Sequence, residues 1–156
     1  MKGALTVARA VAAPAEASWT ALSDWDSQGE WMMGTRVRAT AQGGQGVGGE
    51  IEAWTGVGPI GFLDTMVITE WAPPKRCLVR HTGRVVRGTG AFEVEDAGNG
   101  RSRILWSEQL DLPLGYVGYA GWLLARPAVR WGVVRSLRAL GRSIEAGRWD
   151  EAAGTR

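Results

Sequence analysis

Three residue types are scarce in this chain, and each scarcity excludes a class of function. Cys77 is the only cysteine among the 156 residues, so the chain has no internal disulfide and a reducing compartment is expected. His81 is the only histidine, and one histidine with one cysteine gives no recognisable metal-ligand spacing. Lys2 and Lys75 are the only lysines, the net charge is +2, and no long basic run exists, so nucleic-acid binding is not expected.

Long apolar runs and nucleotide-binding motifs are also missing. No stretch reaches the ~18 apolar residues of a membrane-spanning helix. Apolar and polar residues alternate in the segment 1–17, which has no continuous apolar core. This pattern favours a strand over the alternative interpretation, a signal peptide. A cytoplasmic protein is therefore expected. The glycine-rich segment GGQGVGG (43–49) lacks the Gly-Lys-Ser/Thr ending of a phosphate loop, and so predicts a flexible hairpin tip. No dinucleotide fingerprint is present, and no cofactor is expected.

Glycine and tryptophan are abundant instead. The chain has 23 glycines spread at intervals, which is typical of an all-β or α+β protein with many turns. Its nine tryptophans bring large apolar surfaces that belong in a core or a ligand site. A chain of this length is expected to form one domain with a sizeable core.

Alternation of apolar and polar residues predicts an antiparallel meander preceded by short helices. The predicted strands are 4–12, 35–41, 49–54, 62–71, 76–82, 89–95 and 103–111. A short helix is expected from Pro14 through Leu22, since proline suits a first helical turn. Residues 24–33 can form a second short helix, capped by Ser23 or Asp24, or an irregular turn.

The longest helix-periodic segment is 127–147 near the carboxy terminus. Its apolar stripe recurs every three or four residues. The stripe is Val129, Val133, Leu137, Leu140 and Ile144, with Arg135, Arg138 and Arg142 on the opposite face. Arg126 precedes Pro127, which predicts a kink or break there. The apolar, glycine-interrupted segment 112–125 can be a lid, the first turns of this helix, or a surface that contacts a membrane.

Four stretches carry a resemblance to a known family. They are VAAPAEASWTALSDWD, EWAPPKRCLVRHTGRVVRG, FEVEDAGNGRSRILWSEQLDLP and SLRALGRSIEAG, and together they span nearly the whole chain. In this order they resemble the START-like (SRPBCC) superfamily, which includes the birch-pollen-allergen-like proteins, and most closely its polyketide cyclase/dehydrase and lipid-transport branch. The resemblance implies an α+β helix-grip fold, in which about seven curved antiparallel strands wrap around a long carboxy-terminal helix. It further implies one ligand-binding domain over 1–149. The terminal residues after it, 150–156, are expected to form a disordered tail.

Such a fold places the inward faces of the strands toward the terminal helix, with a ligand cavity between them. Alternation puts Ile104, Trp106, Glu108 and Leu110 on one face of the last strand, and Cys77, Val79 and His81 on one face of another. The residues expected to line the cavity are Trp54, Met66, Trp71, Val79, His81, Phe92, Trp106, Glu108, Tyr119, Trp122, Val133 and Leu137.

Glu108 and His81 are the candidate catalytic residues. A carboxylate in an apolar row must be paired, hydrogen-bonded or protonated, so Glu108 can orient a ligand, act as an acid or base, pair with an arginine such as Arg126, or lie at a solvated rim. His81 has no partner visible in the sequence, and Cys77 is expected to be a small core residue. Asp64 and Glu70 are expected on one strand face, six residues apart, which is too far for a carboxylate dyad.

Three functions remain open from the sequence. The first is binding of a small hydrophobic molecule, such as a lipid, polyketide or quinone, with little or no catalysis. The second is a polyketide cyclase, aromatase or dehydratase that uses one acid/base. The third is a module that contacts a membrane or a partner through residues 112–125.

Overall fold

The computed structural model of the protein describes residues 1–149 and shows an α+β architecture. Seven antiparallel strands form one curved sheet in the order β1-β7-β6-β5-β4-β3-β2, against which a long carboxy-terminal helix packs. The elements are β1 (Lys2–Val11), α1 (Ala15–Ser23), α2 (Gln28–Trp31), β2 (Thr35–Ala41), β3 (Glu50–Val57), β4 (Ile60–Ala72), β5 (Arg76–His81), β6 (Gly88–Gly98), β7 (Arg101–Asp111) and α3 (Tyr116–Glu145). The predicted helix-grip fold is confirmed. The predicted disordered tail lies outside the described residues.

Alternation along the strands separates an inner face from an outer one. In β1, Leu5 and Val7 are buried while their neighbours are exposed. β7 continues this inner layer because it pairs with β1 on one side and β6 on the other. The inner face of the sheet therefore carries most of its buried apolar side chains.

A β-bulge in β4 changes one predicted face. The register between β4 and β5 shifts between Ile68 and Glu70, so Thr69 is the extra residue. Glu70 therefore turns to the outer side, where it pairs with Arg76 at 3.6 Å. The expectation that Glu70 shares a face with Asp64 is wrong, because period-two counting fails across a bulge.

The two short helices lie between β1 and β2, as predicted. A turn of 3₁₀ helix, Trp25–Ser27, joins them. Neither Ser23 nor Asp24 provides a side-chain cap for the second helix. The Ser23 hydroxyl instead donates to the Trp19 carbonyl, one turn back in α1, at 2.8 Å.

The glycine-rich segment after β2 is tied to the rest of the protein. Trp25 donates its indole N–H to the Gly44 carbonyl at 2.7 Å, and Gly44 is buried. The backbone of Ile68 bonds to both Gly48 and Gly49 at 2.8 Å. The segment is therefore an anchored loop rather than the free hairpin tip that composition predicted.

The long helix is one continuous element that starts before Pro127. α3 begins at Tyr116, so segment 112–125 supplies its first turns, one of the three alternatives left open. Pro127 does not end the helix at Arg126, which corrects the predicted break. The carbonyl that loses its hydrogen bond to the missing Pro127 N–H is that of Leu123, a residue that is 50% exposed. None of the helices in residues 1–149 is both long and apolar enough to cross a membrane.

The carboxy-terminal half of α3 forms the centre of the core. Leu137, Leu140 and Ile144 are at most 1% exposed, whereas Val129 at the start of the predicted stripe is 40% exposed. Two hydrogen bonds fix the helix to the amino-terminal part of the chain. Glu145 accepts from the Ala12 N–H at 3.1 Å, and the Ser136 hydroxyl accepts from the Met33 N–H at 3.1 Å. The two bonds hold α3 to the residue that follows β1 and to the turn that precedes β2.

Candidate functional site

A cavity of about 230 Å³ lies between the inner face of the sheet and the middle of α3. Its wall is mostly apolar and aromatic, with a few polar groups on one side. The lining residues are Trp25, Gln28, Met32, Met33, Thr35, Val37, Ile51, Ala53, Thr55, Asp64, Met66, Cys77, Val79, His81, Gly90, Ala91, Phe92, Trp106, Glu108, Val129, Gly132, Val133 and Ser136.

The polar side of the cavity is a line of three ionisable side chains. His81 Nδ1 lies 2.7 Å from Asp64 Oδ2, and its Nε2 lies 3.1 Å from Glu108 Oε2. The side chains of Asp64 and His81 are under 10% exposed, and that of Glu108 is 19% exposed. A histidine held on both nitrogens by carboxylates has a fixed ring orientation, which is what an acid/base or an anchoring group needs.

Gly90 leaves the space in which the side chains of His81 and Glu108 can contact each other. His81 is on β5 and Glu108 is on β7, so β6 runs between their strands. A Cβ atom at Gly90 would lie 3.0 Å from Glu108 Oε2 and 3.2 Å from His81 Nε2. Because Gly90 has no side chain, the two groups meet above its backbone.

Trp106 holds the other oxygen of Glu108. Its indole N–H donates to Glu108 Oε1 at 2.7 Å, which is favoured because the two residues alternate on one face of β7. The Trp106 ring packs edge-on against Phe92 at 5.1 Å and Trp31 at 6.4 Å between centroids. Glu108 is therefore positioned by a ring that is itself fixed by packing.

The charges around His81 favour its protonated form. Burial alone would lower the pKa of His81, but the hydrogen bonds to Asp64 and Glu108 and the negative charges of these residues raise it to about 9. At neutral pH both ring nitrogens then carry hydrogen, and each donates to a carboxylate. The expected alternatives for Glu108, an arginine pair or a solvated rim, are replaced by this pairing with His81 and Trp106.

Cys77 lines the cavity as a neutral thiol. Burial, with a smaller contribution from the negative charge of Glu70, raises the pKa of Cys77 to about 12. A thiol of this kind has no significant thiolate population at neutral pH, so it is a poor nucleophile. Within residues 1–149, no three His, Cys, Asp or Glu side chains are grouped as metal ligands would be.

Seven of the twelve predicted lining residues lie in the cavity wall. They are Met66, Val79, His81, Phe92, Trp106, Glu108 and Val133. All but Val133 are on strands β4 to β7, where their predicted inward direction follows from alternation.

The other five predicted lining residues lie elsewhere. Trp54 is on the outer side of β3, under the Arg36 guanidinium at 5.2 Å, because Ala53 and Thr55 take the inner positions. Trp71 packs against Trp19 at 5.1 Å, away from the cavity. The remaining three are on α3: Tyr119 is exposed, Trp122 packs close to Gly3, and Leu137 is in the core.

Asp64 is the functional candidate that the sequence did not reveal. Alternation puts it on one strand face with Glu70, and the sequence predicts no partner for it. The usable signal was the period-two spacing from Met66, a predicted lining residue, which puts the Asp64 side chain on the inward face of its strand. Residues of β2, β3 and the short helices were also missed, because their faces could not be assigned from short segments.

Comparisons with known proteins agree with this architecture. Residues 2–145 match the family described as polyketide cyclase / dehydrase and lipid transport. No curated protein sequence matches the chain.

Several solved structures share the fold at low sequence identity. The Zhui aromatase/cyclase from Streptomyces sp. R1128 is 17% identical with a TM-score of 0.74, over 93% of this chain and 94% of that one. TTHA0849 from Thermus thermophilus is 14% identical with a TM-score of 0.77, over 93% and 99%. Norcoclaurine synthase from Thalictrum flavum, solved with dopamine and hydroxybenzaldehyde, is 15% identical with a TM-score of 0.67, over 92% and 87%.

Proposed function

Because the chain belongs to the polyketide cyclase/dehydrase and lipid transport family, we propose that residues 1–149 act as one domain that binds a small, mostly apolar molecule. The observation that carries this proposal is the cavity of about 230 Å³, with Phe92 and Trp106 in its wall and Glu108 at one side. Covering ~300 Å² of apolar ligand surface would contribute about 7 kcal/mol before the cost of association. Glu108 and His81 would orient the ligand through its polar group.

Filling the cavity should abolish binding. Val133 lies in the wall on α3 and is 9% exposed, so Val133→Trp puts an indole into the ligand space. We expect the affinity for naphthylethanol, a neutral apolar probe, to fall at least tenfold in isothermal titration calorimetry, with a stability cost of about 1–3 kcal/mol from overpacking. Native mass spectrometry of the protein as purified would show whether a carried molecule disappears with the same change.

The matched control is the same substitution outside the cavity. Val117 is on the same helix and is 71% exposed, so Val117→Trp adds an indole without entering the wall. It should bind naphthylethanol as the unmodified protein does. Equal binding by Val133→Trp and the unmodified protein would contradict the proposed site.

A second candidate function is catalysis of cyclisation or dehydration on a polyketide-like chain. The observation that favours it is His81, fixed between Asp64 and Glu108 and facing the same cavity as Glu108. Glu108 would exchange a proton with the substrate, while His81 holds its carboxylate in place. The buried apolar wall would exclude water from a reactive chain.

Glu108→Gln tests this catalytic function. The amide keeps the size of the side chain but cannot accept a proton, so product formation from a poly-β-ketone thioester should fall by about 10²–10⁴-fold, as measured by liquid chromatography. Retained binding of naphthylethanol would show that the cavity survives the substitution. Equal turnover by the variant and the unmodified protein would remove Glu108 from the mechanism.

Contact with a membrane or partner through residues 112–125 stays a prediction. The segment exposes Leu114, Tyr116, Val117 and Leu124, each at 71% or more. Nothing in the described structure shows what covers these residues.

A further inference from the structure

The ionisable groups in the cavity wall do not balance in charge. Among residues 1–149, the wall contains the carboxylates of Asp64 and Glu108 and the imidazole of His81, but no arginine or lysine. A protonated His81 offsets one carboxylate, and the Cys77 thiol is neutral because burial raises its pKa to about 12. With both carboxylates ionised, the group carries one negative charge in excess. A ligand that contacts Asp64, His81 and Glu108 in this cavity is therefore bound more favourably if it carries a positive charge.

The same group has spare hydrogen-bond acceptors but no spare donors. Each Glu108 oxygen accepts one hydrogen bond, from Trp106 or from His81, and a carboxylate oxygen can accept two. Asp64 is 7% exposed, and its Oδ1 is a buried atom with no hydrogen-bond partner in the described part of the chain. Both nitrogens of His81 are engaged by carboxylates. A ligand that reaches Glu108 can therefore satisfy its free acceptor positions only by donating.

The remaining polar groups in the wall do not alter this balance. Ser136 donates its hydroxyl hydrogen to the Gly132 carbonyl, and Gln28 donates to the Leu22 carbonyl. The hydroxyls of Thr35 and Thr55 pair with each other at 3.0 Å. No charged donor is available among them to neutralise a carboxylate or phosphate on a ligand.

The apolar part of the wall suits a cation as well as an apolar body. Trp25, Phe92 and Trp106 line the cavity, and aromatic faces attract ammonium groups. The charged end of a ligand would lie close to Glu108, whose own position is fixed by Trp106. An apolar or aromatic body attached to it would fill the space bounded by Met66, Val79 and Val133.

From this charge and acceptor balance we propose that the cavity selects an amine, meaning a small apolar or aromatic molecule whose protonated amino group donates to the Asp64–His81–Glu108 group. This selectivity rests on the proposed binding function and gives it a substrate class. Neutral molecules of the same shape bind more weakly, and carboxylates are rejected. The amine supplies the positive charge that the wall lacks and the hydrogen-bond donors that the Asp64–His81–Glu108 group lacks.

Three probes with the same ring test the selectivity. Naphthylethylamine, naphthylethanol and naphthylacetate carry a cationic, a neutral and an anionic group, and their dissociation constants at neutral pH can be measured by isothermal titration calorimetry. We expect the amine to bind about tenfold or more tighter than the alcohol, since hydrogen bonds to charged groups are the stronger ones, and the acetate to bind weakest. Alcohol or acetate binding as tightly as the amine would overturn the proposal. Failure of all three probes to bind would instead count against the proposed binding function, on which the selectivity depends.

Glu108→Gln assigns the selectivity to the acidic group. Removing one carboxylate leaves Asp64 and His81 as a balanced pair, so the ratio of the alcohol's dissociation constant to the amine's, with both measured on the variant, should drop about tenfold. An unchanged preference in this variant would contradict the assignment to Glu108. If the variant does not fold, the second measurement is competition in the unmodified protein, in which the amine should displace the alcohol and the acetate should not. Displacement by the acetate would overturn the proposal in the same way.

Discussion

The free energy of unfolding should fall by about 2–3 kcal/mol as the pH rises from about 6.5 to above 9. The reason is His81, whose pKa is raised to about 9 by its hydrogen bonds to Asp64 and Glu108 despite the opposing effect of burial. In the unfolded chain the imidazole returns to its ordinary pKa of about 6.5. A group whose pKa is higher in the folded state stabilises it fully below the unfolded pKa and loses that effect as the pH passes the folded pKa. Denaturant titrations between pH 6 and 10 would measure the decline.

The chain offers a direct check, because His81 is its only histidine. A single imidazole proton resonance can be followed by nuclear magnetic resonance, and its midpoint should lie near pH 9 rather than near pH 6.5. Asp64→Asn removes one of the two carboxylates and should lower that midpoint and flatten the stability decline. The Cys77 thiol, whose pKa burial raises to about 12, adds its own loss of stability from the unfolded thiol pKa of about 8.5 upward, so only the decline below that pH belongs to His81 alone. A resonance midpoint near pH 6.5 in the unmodified protein would contradict the geometry around His81.

The strand layout was predictable because alternation is a local property of the sequence. Val79, Phe92 and Trp106 point inward, as period-two counting along β5, β6 and β7 predicts. The terminal helix was predicted from its apolar stripe, but its start was not. Glycines and Pro127 in its first half weaken the helical pattern, whereas Trp122 packing near Gly3 of β1 fixes that half in place. Tertiary contact overrides local propensity there.

The meeting of Asp64, His81 and Glu108 was not predictable from the sequence. It depends on the register of three strand pairs, and alternation fixes which face a residue takes without fixing its neighbour across the sheet. The bulge at Thr69 adds a residue that no local pattern marks. The candidates Glu108 and His81 were therefore identified singly, and their contact across Gly90 required the fold.

More tryptophans were predicted to line the cavity than the structure places in its wall. Periodicity gives no way to tell a large residue that lines a space from one that covers a surface. Trp54 illustrates this, since it lies over Gly56 and Gly61 on the outer side of β3 and β4. Its ring fills room that these two glycines leave, so abundant glycine and abundant tryptophan are linked in this chain.

Gly88→Ala should lower the free energy of unfolding by more than about 3 kcal/mol, the largest effect we expect from one added methyl group. Gly88 opens β6 with φ at +125°, a conformation that residues with a side chain rarely adopt. Its Cβ atom would lie 1.9 Å from the Gln109 carbonyl oxygen, and a backbone atom in a paired strand cannot rotate away. Relief would require β7 to shift, which would also displace Glu108 from His81.

Gly98→Ala is the matched control at the other end of the same strand. Gly98 also has positive φ, at +74°, but a Cβ atom there would meet nothing within 4 Å. It should cost only about 1 kcal/mol, the backbone term without the collision. Denaturant titration of both variants separates the two terms, and nuclear magnetic resonance of His81 reports whether the site moved. Equal losses of stability in the two variants would mean that the positive φ angle alone destabilises each of them. The 1.9 Å distance between an added Cβ atom at Gly88 and the Gln109 carbonyl oxygen would then have no effect, because β7 could move away.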